Sequence, residues 1–88
     1  MKKFKRLGKF YVYIVRCKDG TYYTGSTNDL EKRLGSHNAG KGAKYTRSRR
    51  PVRLIWHKEY RYFRSAFLEE KRIQGLTREQ KEKLIKVN

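Results

Sequence analysis

An α+β fold is what this 88-residue sequence predicts: a small three-stranded antiparallel sheet flanked by helices, in the order ββαβαα. Three observations carry that expectation. Residues 10–17 and 52–60 are rich in aromatic and β-branched residues. An Asp19-Gly20 turn joins the first run to a returning one. Capped stretches of helical period follow.

Phe10 to Cys17 reads as the first strand and Thr21 to Gly25 as the second. Their register depends on the turn. A two-residue loop puts Tyr13 and Tyr23 on opposite faces of the hairpin. A three-residue loop, Lys18-Asp19-Gly20 with Gly20 left-handed, makes a type I turn with a bulge and puts both on one face. The three-residue loop is expected. Asn28 is expected to cap the first helix, with Asp29 and Glu31 in its positive first turn and Gly40 as a left-handed stop beyond Asn38. Gly40 to Pro51 reads as a basic loop, and Val52 to Tyr60 as the third strand. A second helix over 64–74 ends at Gly75, and Thr77 with Gln80 forms a capping box for a last helix through Leu84 and Ile85. Residues 9–88 then form one domain, and Met1 to Gly8 a basic arm, either mobile or a further phosphate contact.

Such a short chain builds a core near the lower limit for independent stability. Seven tyrosines, four phenylalanines and one tryptophan must supply much of it. The formal net charge of +16 exceeds what solubility requires and favours polyanionic partners, DNA or RNA. It is also uneven. No acidic residue lies between Glu31 and Glu59, a stretch holding Lys32, Arg33, Lys41, Lys44, Arg47, Arg49, Arg50, Arg53 and Lys58. A merely solvated basic surface is the bland alternative. Cys17 is alone, which excludes an internal disulfide and a cysteine-based zinc site. No signal-peptide pattern or membrane-length apolar run is present, so a cytoplasmic location and no membrane partner are expected.

Two helices carry the chemistry. In the second, Phe63, Ala66, Phe67 and Ile73 define an apolar stripe with Glu70 at its centre, while Glu69 and Arg72 point away. A carboxylate there needs a cation or a metal. Either an ion pair with an arginine such as Arg33 or a ligand at the floor of a cleft satisfies it. In the first helix Leu30 and Leu34 form the seam, with Arg33 and His37 four residues apart along its edge. The Arg33 fork suits a phosphate oxygen. His37 is either a proton carrier or a structural histidine. The run Gly35 to Gly42 imitates a phosphate loop, but it lacks the final Ser/Thr and follows a helix, so nucleotide hydrolysis is not expected. Lys41, Lys44, Tyr45, Thr46, Arg47, Arg49 and Arg50 interleave cations, hydroxyls and one aromatic ring, as a backbone-hugging nucleic-acid loop does.

Tyr11-Val12-Tyr13, Tyr23-Thr24-Gly25, Arg33, His37 and Glu70, in this order and spacing, resemble the GIY-YIG nuclease superfamily. Asp19-Gly20-Thr21, Asn28-Asp29-Leu30, His37-Asn38-Ala39-Gly40 and Tyr45-Thr46 are similar to its small stand-alone bacterial members. The resemblance spans residues 10 to 86. It implies one divalent ion, Mg²⁺ or Mn²⁺, on Glu70, with Arg33 stabilising the scissile phosphate and Tyr13 or Tyr23 as general base. A phenol of ordinary pKa near 10 needs a nearby cation for that task. Five positions depart from the pattern. Tyr11 replaces the glycine of the first triplet and Thr24 the isoleucine of the second. Ser26 stands where some relatives have lysine, and Gln74-Gly75 replaces a basic pair.

The expected function is therefore a metal-dependent endonuclease on nucleic acid, DNA before RNA. The alternatives are a nucleic-acid-binding module with little cleavage and, third, a ribosome-associated protein. A bare catalytic domain has little surface for reading bases, so specificity comes from substrate shape or a recruiting protein partner.

Overall fold

A computed structural model of the chain describes residues 7–87, Leu7 by its backbone alone. Strand β1 (Leu7–Arg16) turns into β2 (Tyr22–Thr27); α1 (Leu30–Asn38) and the single-turn α2 (Lys44–Arg47) lead to β3 (Arg53–Tyr62), and α3 (Phe63–Gln74) and α4 (Arg78–Val87) follow. The sheet is three-stranded and antiparallel, as expected, and its order β2-β1-β3 puts β1 in the middle. β1 begins three residues before the expected Phe10, so Leu7 and Gly8 of the expected arm are strand, and residues 1–6 lie outside the described residues.

A central strand covered on both faces reads as a continuous apolar run, and Val12 to Val15 is one. Val12 and Ile14 face α3 and join Trp56, Ala66 and Ile73, with Leu84 and Ile85 of α4 at the margin. Tyr13, Val15 and Cys17 face the other way and join Val52, flanked by Leu30, Leu34 and Leu54. The fully buried Val12, Ile14, Val15 and Ile73 each contribute roughly 1.5–3 kcal/mol on burial, which lets so small a core hold.

The turn has the three-residue form. The Cys17 amide donates to the Thr21 carbonyl at 2.8 Å, the Gly20 amide donates to the Cys17 carbonyl at 2.9 Å, and Gly20 has φ +87°. Pairing then sets Val15 opposite Tyr23 and Tyr13 opposite Gly25, so both tyrosines share the face that α1 flanks.

The cap of α1 is Asp29, one residue beyond the expected Asn28. Its carboxylate accepts from the Lys32 amide at 3.1 Å, and its own amide donates to Thr27 Oγ1 at 3.1 Å. A full negative charge at the positive helix end outcompetes a neutral amide. Asp29→Ala is expected to cost about 1 kcal/mol, and Asn28→Ala far less, in urea unfolding followed by circular dichroism.

The expected basic loop is more ordered than its composition suggested. It contains α2, which four residues are too short to reveal by periodicity, and it buries Thr46 completely. The second helix begins one residue earlier than expected, at Phe63. Its buried positions are Ala66 and Ile73 alone, whereas Phe63 and Phe67 are 41% and 44% exposed. Phe67 sits about 100° around the helix from Ala66, and a helix on a flat sheet buries only the narrow strip between. The capping box is present: the Thr77 amide donates to Gln80 Oε1 at 2.9 Å, and the Gln80 amide to Thr77 Oγ1 at 3.2 Å.

Candidate active site

The hairpin and α1 bring Tyr13, Tyr23, Arg33 and His37 together. Tyr13 is 2% exposed and His37 is fully buried. Arg33 Nε donates to the Tyr13 hydroxyl oxygen at 3.2 Å, and that hydroxyl lies 2.8 Å from His37 Nε2. His37 Nδ1 lies 2.8 Å from Thr46 Oγ1, which donates its only proton to the Ala43 carbonyl at 3.0 Å. Proton counting orders the whole chain. Thr46, its proton spent, accepts from His37 Nδ1–H, which leaves Nε2 bare to accept from the Tyr13 hydroxyl. One directed line runs from Arg33 through Tyr13, His37 and Thr46 to the backbone.

The electrostatics agree with a neutral Tyr13 and a neutral His37 in that line. Burial raises the Tyr13 phenol above its ordinary value, against the lowering pull of the Arg33 hydrogen bond and charge. Burial first, and the Arg33 charge second, lower His37 below the ordinary histidine value. The bond to Tyr13 raises Arg33 above its ordinary value, and the nearby Tyr23 phenol adds to the rise. Two glycines make room. A Cβ on Gly25 would lie 2.5 Å from the Tyr13 hydroxyl, and one on Gly42 would lie 2.8 Å from His37 Cγ.

Tyr23 is half-buried beside this line, its ring 5.5 Å from that of His37. Tyr45 stacks on it at 6.0 Å with planes 23° apart, and the Arg49 guanidinium covers the Tyr45 ring at 3.9 Å. Arg49 is held by Asp19 of the turn at 3.0 Å and by the Tyr45 carbonyl at 2.7 Å.

Glu70 reaches β2 from α3. It accepts from the Ser26 hydroxyl at 2.7 Å and from Gln74 Nε2 at 3.1 Å. The expected structural alternative, a bridge to Arg33, is not formed: among the described residues the ion pairs are Arg49–Asp19, Arg72–Glu69 and Arg78–Glu82. A half-buried carboxylate oriented by two neutral donors, in a chain this cationic, is chemically suited to a hard divalent cation. Among the described residues no three His, Cys, Asp or Glu side chains cluster, so such an ion would take one protein carboxylate and fill its other positions with water or phosphate oxygen. Ser26 and Gln74, two of the positions that depart from the family pattern, are the two donors to Glu70.

The seven residues expected on nucleic acid divide by structure. Lys41, Lys44 and Arg47 are exposed. Thr46 is not a surface contact, because the backbone buries it under His37. Tyr45 is 38% exposed, with the Tyr23 ring stacked beside it and the Arg49 guanidinium over its ring. Arg49 is engaged as above. Arg50 closes the ends of α1 and α2 through the Asn38 carbonyl at 3.4 Å and the Arg47 carbonyl at 2.9 Å. The role of Gly25 was available from the turn: once Cys17 pairs with Thr21, counting back places Tyr13 opposite Gly25.

The GIY-YIG catalytic domain family matches residues 9–83. A UPF0213 protein of Clostridium perfringens is 53% identical over 75 residues, 85% of this chain and 81% of its own. One of Halobacterium salinarum is 50% identical over 74 residues, 84% of this chain and 96% of its own. Among solved structures, the solution NMR structure of a UPF0213 protein from Bacillus halodurans has TM-score 0.61 and 42% identity, covering 91% of this chain and 85% of that one. That of an E. faecalis protein has TM-score 0.64 and 40% identity, covering 96% and 90%. The matched family, the relatives along nearly the whole chain and the hairpin tyrosines over an arginine-bearing helix agree: the chain belongs to the GIY-YIG nuclease superfamily, among its small UPF0213 proteins.

Proposed function

We propose that the protein is a metal-dependent endonuclease that hydrolyses phosphodiester bonds in nucleic acid, DNA before RNA. The observation that carries this reading is the directed line from Arg33 through Tyr13 to His37 beside an oriented, unpaired Glu70. A buried phenol with a raised pKa is a poor base by itself. Here it need not hold a proton. As Tyr13 takes a proton from the attacking water, its own passes to His37 Nε2, so the histidine is the net acceptor. The hydroxide oxygen bonds to phosphorus, the phosphorus–oxygen bond to the leaving strand breaks, and the leaving oxygen takes its proton from solvent. Arg33, its Nε on Tyr13, turns its outer nitrogens to a non-bridging phosphate oxygen. Tyr23, half-exposed beside Arg33, orients the water. Mg²⁺ or Mn²⁺ on Glu70, with Ser26 and Gln74 fixing the carboxylate, supplies charge stabilisation when bound. Lys41, Lys44 and Arg47 attract the strand.

Purified protein should nick supercoiled plasmid in Mg²⁺ or Mn²⁺ and stop in chelator. Glu70→Gln, which keeps the hydrogen-bonding shape, should lose activity by about a hundredfold or more. Equal nicking by Glu70→Gln and wild type would remove Glu70 from the site. No nicking by wild type, with salt-dependent binding intact, would leave a binding module in place of a nuclease.

A further inference from the structure

The stripe expected to lie in the core is largely at the surface. Phe63, Phe67, Glu70 and Gln74 follow one another at helical spacing along one flank of α3, within about 60° of rotation. Glu70 and Gln74 occupy the part that meets β2, at Ser26 and the Thr24 carbonyl. One turn nearer the start of the helix, the same flank offers Phe67 at 44% exposure, stacked on Phe63 with planes 22° apart. Phe63 is itself braced edge-on by Phe10 of β1 at 5.8 Å. Phe67 thus presents a half-exposed aromatic ring at the surface of a strongly cationic protein.

We propose that the Phe67 flank of α3 is a stacking ledge for unpaired nucleobases beside the cleavage site, making single-stranded or branched nucleic acid, including the locally unwound segments of supercoiled plasmid, and not relaxed continuous duplex, the substrate class. The inference rests on Glu70 marking that site. Three features favour a nucleobase over an apolar partner. The ledge is continuous with the carboxylate, one helical turn away. Exposed Arg64 and Lys71 border it, and Lys71 Nζ lies 5.2 Å from the Phe67 ring centre, where a passing phosphate would find it. Aromatic rings between cations are the recurrent design for strands whose bases are unstacked, because every base has a stacking face, whereas duplex hides its bases. Lys71 differs from Arg49 over Tyr45. Arg49 is pinned by a carboxylate and a carbonyl, whereas Lys71 is a flexible exposed side chain that yields its place to a base.

The test measures binding of the full chain in chelator, by anisotropy of a labelled oligonucleotide of about twelve nucleotides, single-stranded or as blunt duplex. Phe67→Ala should weaken single-strand binding by about tenfold and leave duplex binding within about twofold, while Phe67→Trp keeps wild-type affinity. The Phe67→Trp emission, beyond that of Trp56, should be quenched by the single strand and not by the duplex. Equal losses on both ligands, or no loss on either, would overturn the ledge. So would a Phe67→Ala variant that binds like wild type but sediments with a lower mass, which would make the flank a contact between copies. Because chelator stops cleavage, failure of plasmid nicking and failure of this assay are read separately.

Discussion

Gly25→Ala is expected to lower plasmid nicking by about a hundredfold while barely changing the surface of the protein. The added Cβ would lie 2.5 Å from the Tyr13 hydroxyl, 2.7 Å from Tyr13 Cζ and 3.1 Å from Tyr23 Cε2. Tyr13 cannot retreat, because it is buried in the β1 core and its hydroxyl is tied to Arg33 on one side and His37 on the other. Either the phenol rotates and both bonds break, or β2 moves off β1 and the hairpin register loosens. Overpacking of this kind costs about 1–3 kcal/mol, so the melting temperature should fall along with activity. Gly35 supplies the control. A Cβ there meets nothing within 4 Å, and in a helix Gly35→Ala should be neutral or stabilising by up to about 1 kcal/mol. Nicking rates and thermal melts of the two variants check the contrast; a fully active Gly25→Ala would show that the Tyr13 hydroxyl is not used.

Thr46→Val is expected to slow nicking by about tenfold to a hundredfold, and Thr46→Ser to keep most of it. Valine matches threonine in shape but cannot accept from His37 Nδ1–H. That donor is then buried without a partner at a cost of about 1–3 kcal/mol, or the ring shifts its proton to Nε2. With a proton on Nε2, His37 donates to Tyr13 in place of accepting from it, and the relay is blocked at its second step. Serine restores the acceptor, so rescue by Thr46→Ser separates tautomer control from packing. The pH profile follows from the same ring. Burial and Arg33 hold His37 below the ordinary value of about 6.5, so it is neutral and able to accept at pH 7. Nicking should fall on the acid side, below the ordinary histidine value, as His37 fills. Between its lowered folded value and the ordinary one, the unfolded chain binds a proton that the folded chain does not. Stability therefore rises with pH across that window and is complete above it. A rate already halved by acidification to pH 6.5 would contradict a depressed His37.

Much of this site was legible along the chain because hairpin geometry is local. Lys18-Asp19-Gly20 determines the loop length, the loop length determines the register, and the register puts Tyr13 and Tyr23 on one face. The caps and stops were legible for the same reason, with the one-residue error at Asn28 arising where two adjacent Asx side chains compete for one helix end. Thr46 was misjudged because its place depends on contacts across the fold. Nothing within Lys44 to Arg47 announces that its hydroxyl will close a relay begun in β1. Arg49 reads as a free cation along the chain, and only the fold brings Asp19, thirty residues earlier, to hold it against the Tyr45 ring.

The sequence by itself determined the fold class, the family and the basic character, and it picked out Tyr13, Tyr23, Arg33, His37 and Glu70 as the candidate set, because motif spacing, turn chemistry and charge are properties of the chain. Only the tertiary structure decided how those residues connect. It directed the hydrogen bonds from Arg33 to the Ala43 carbonyl, freed Glu70 from Arg33, and turned Phe67 outward beside it. The physical reason is that proton direction and exposure depend on which groups from distant segments meet. Helical period says which residues share a face, but not how much of that face the sheet is wide enough to cover.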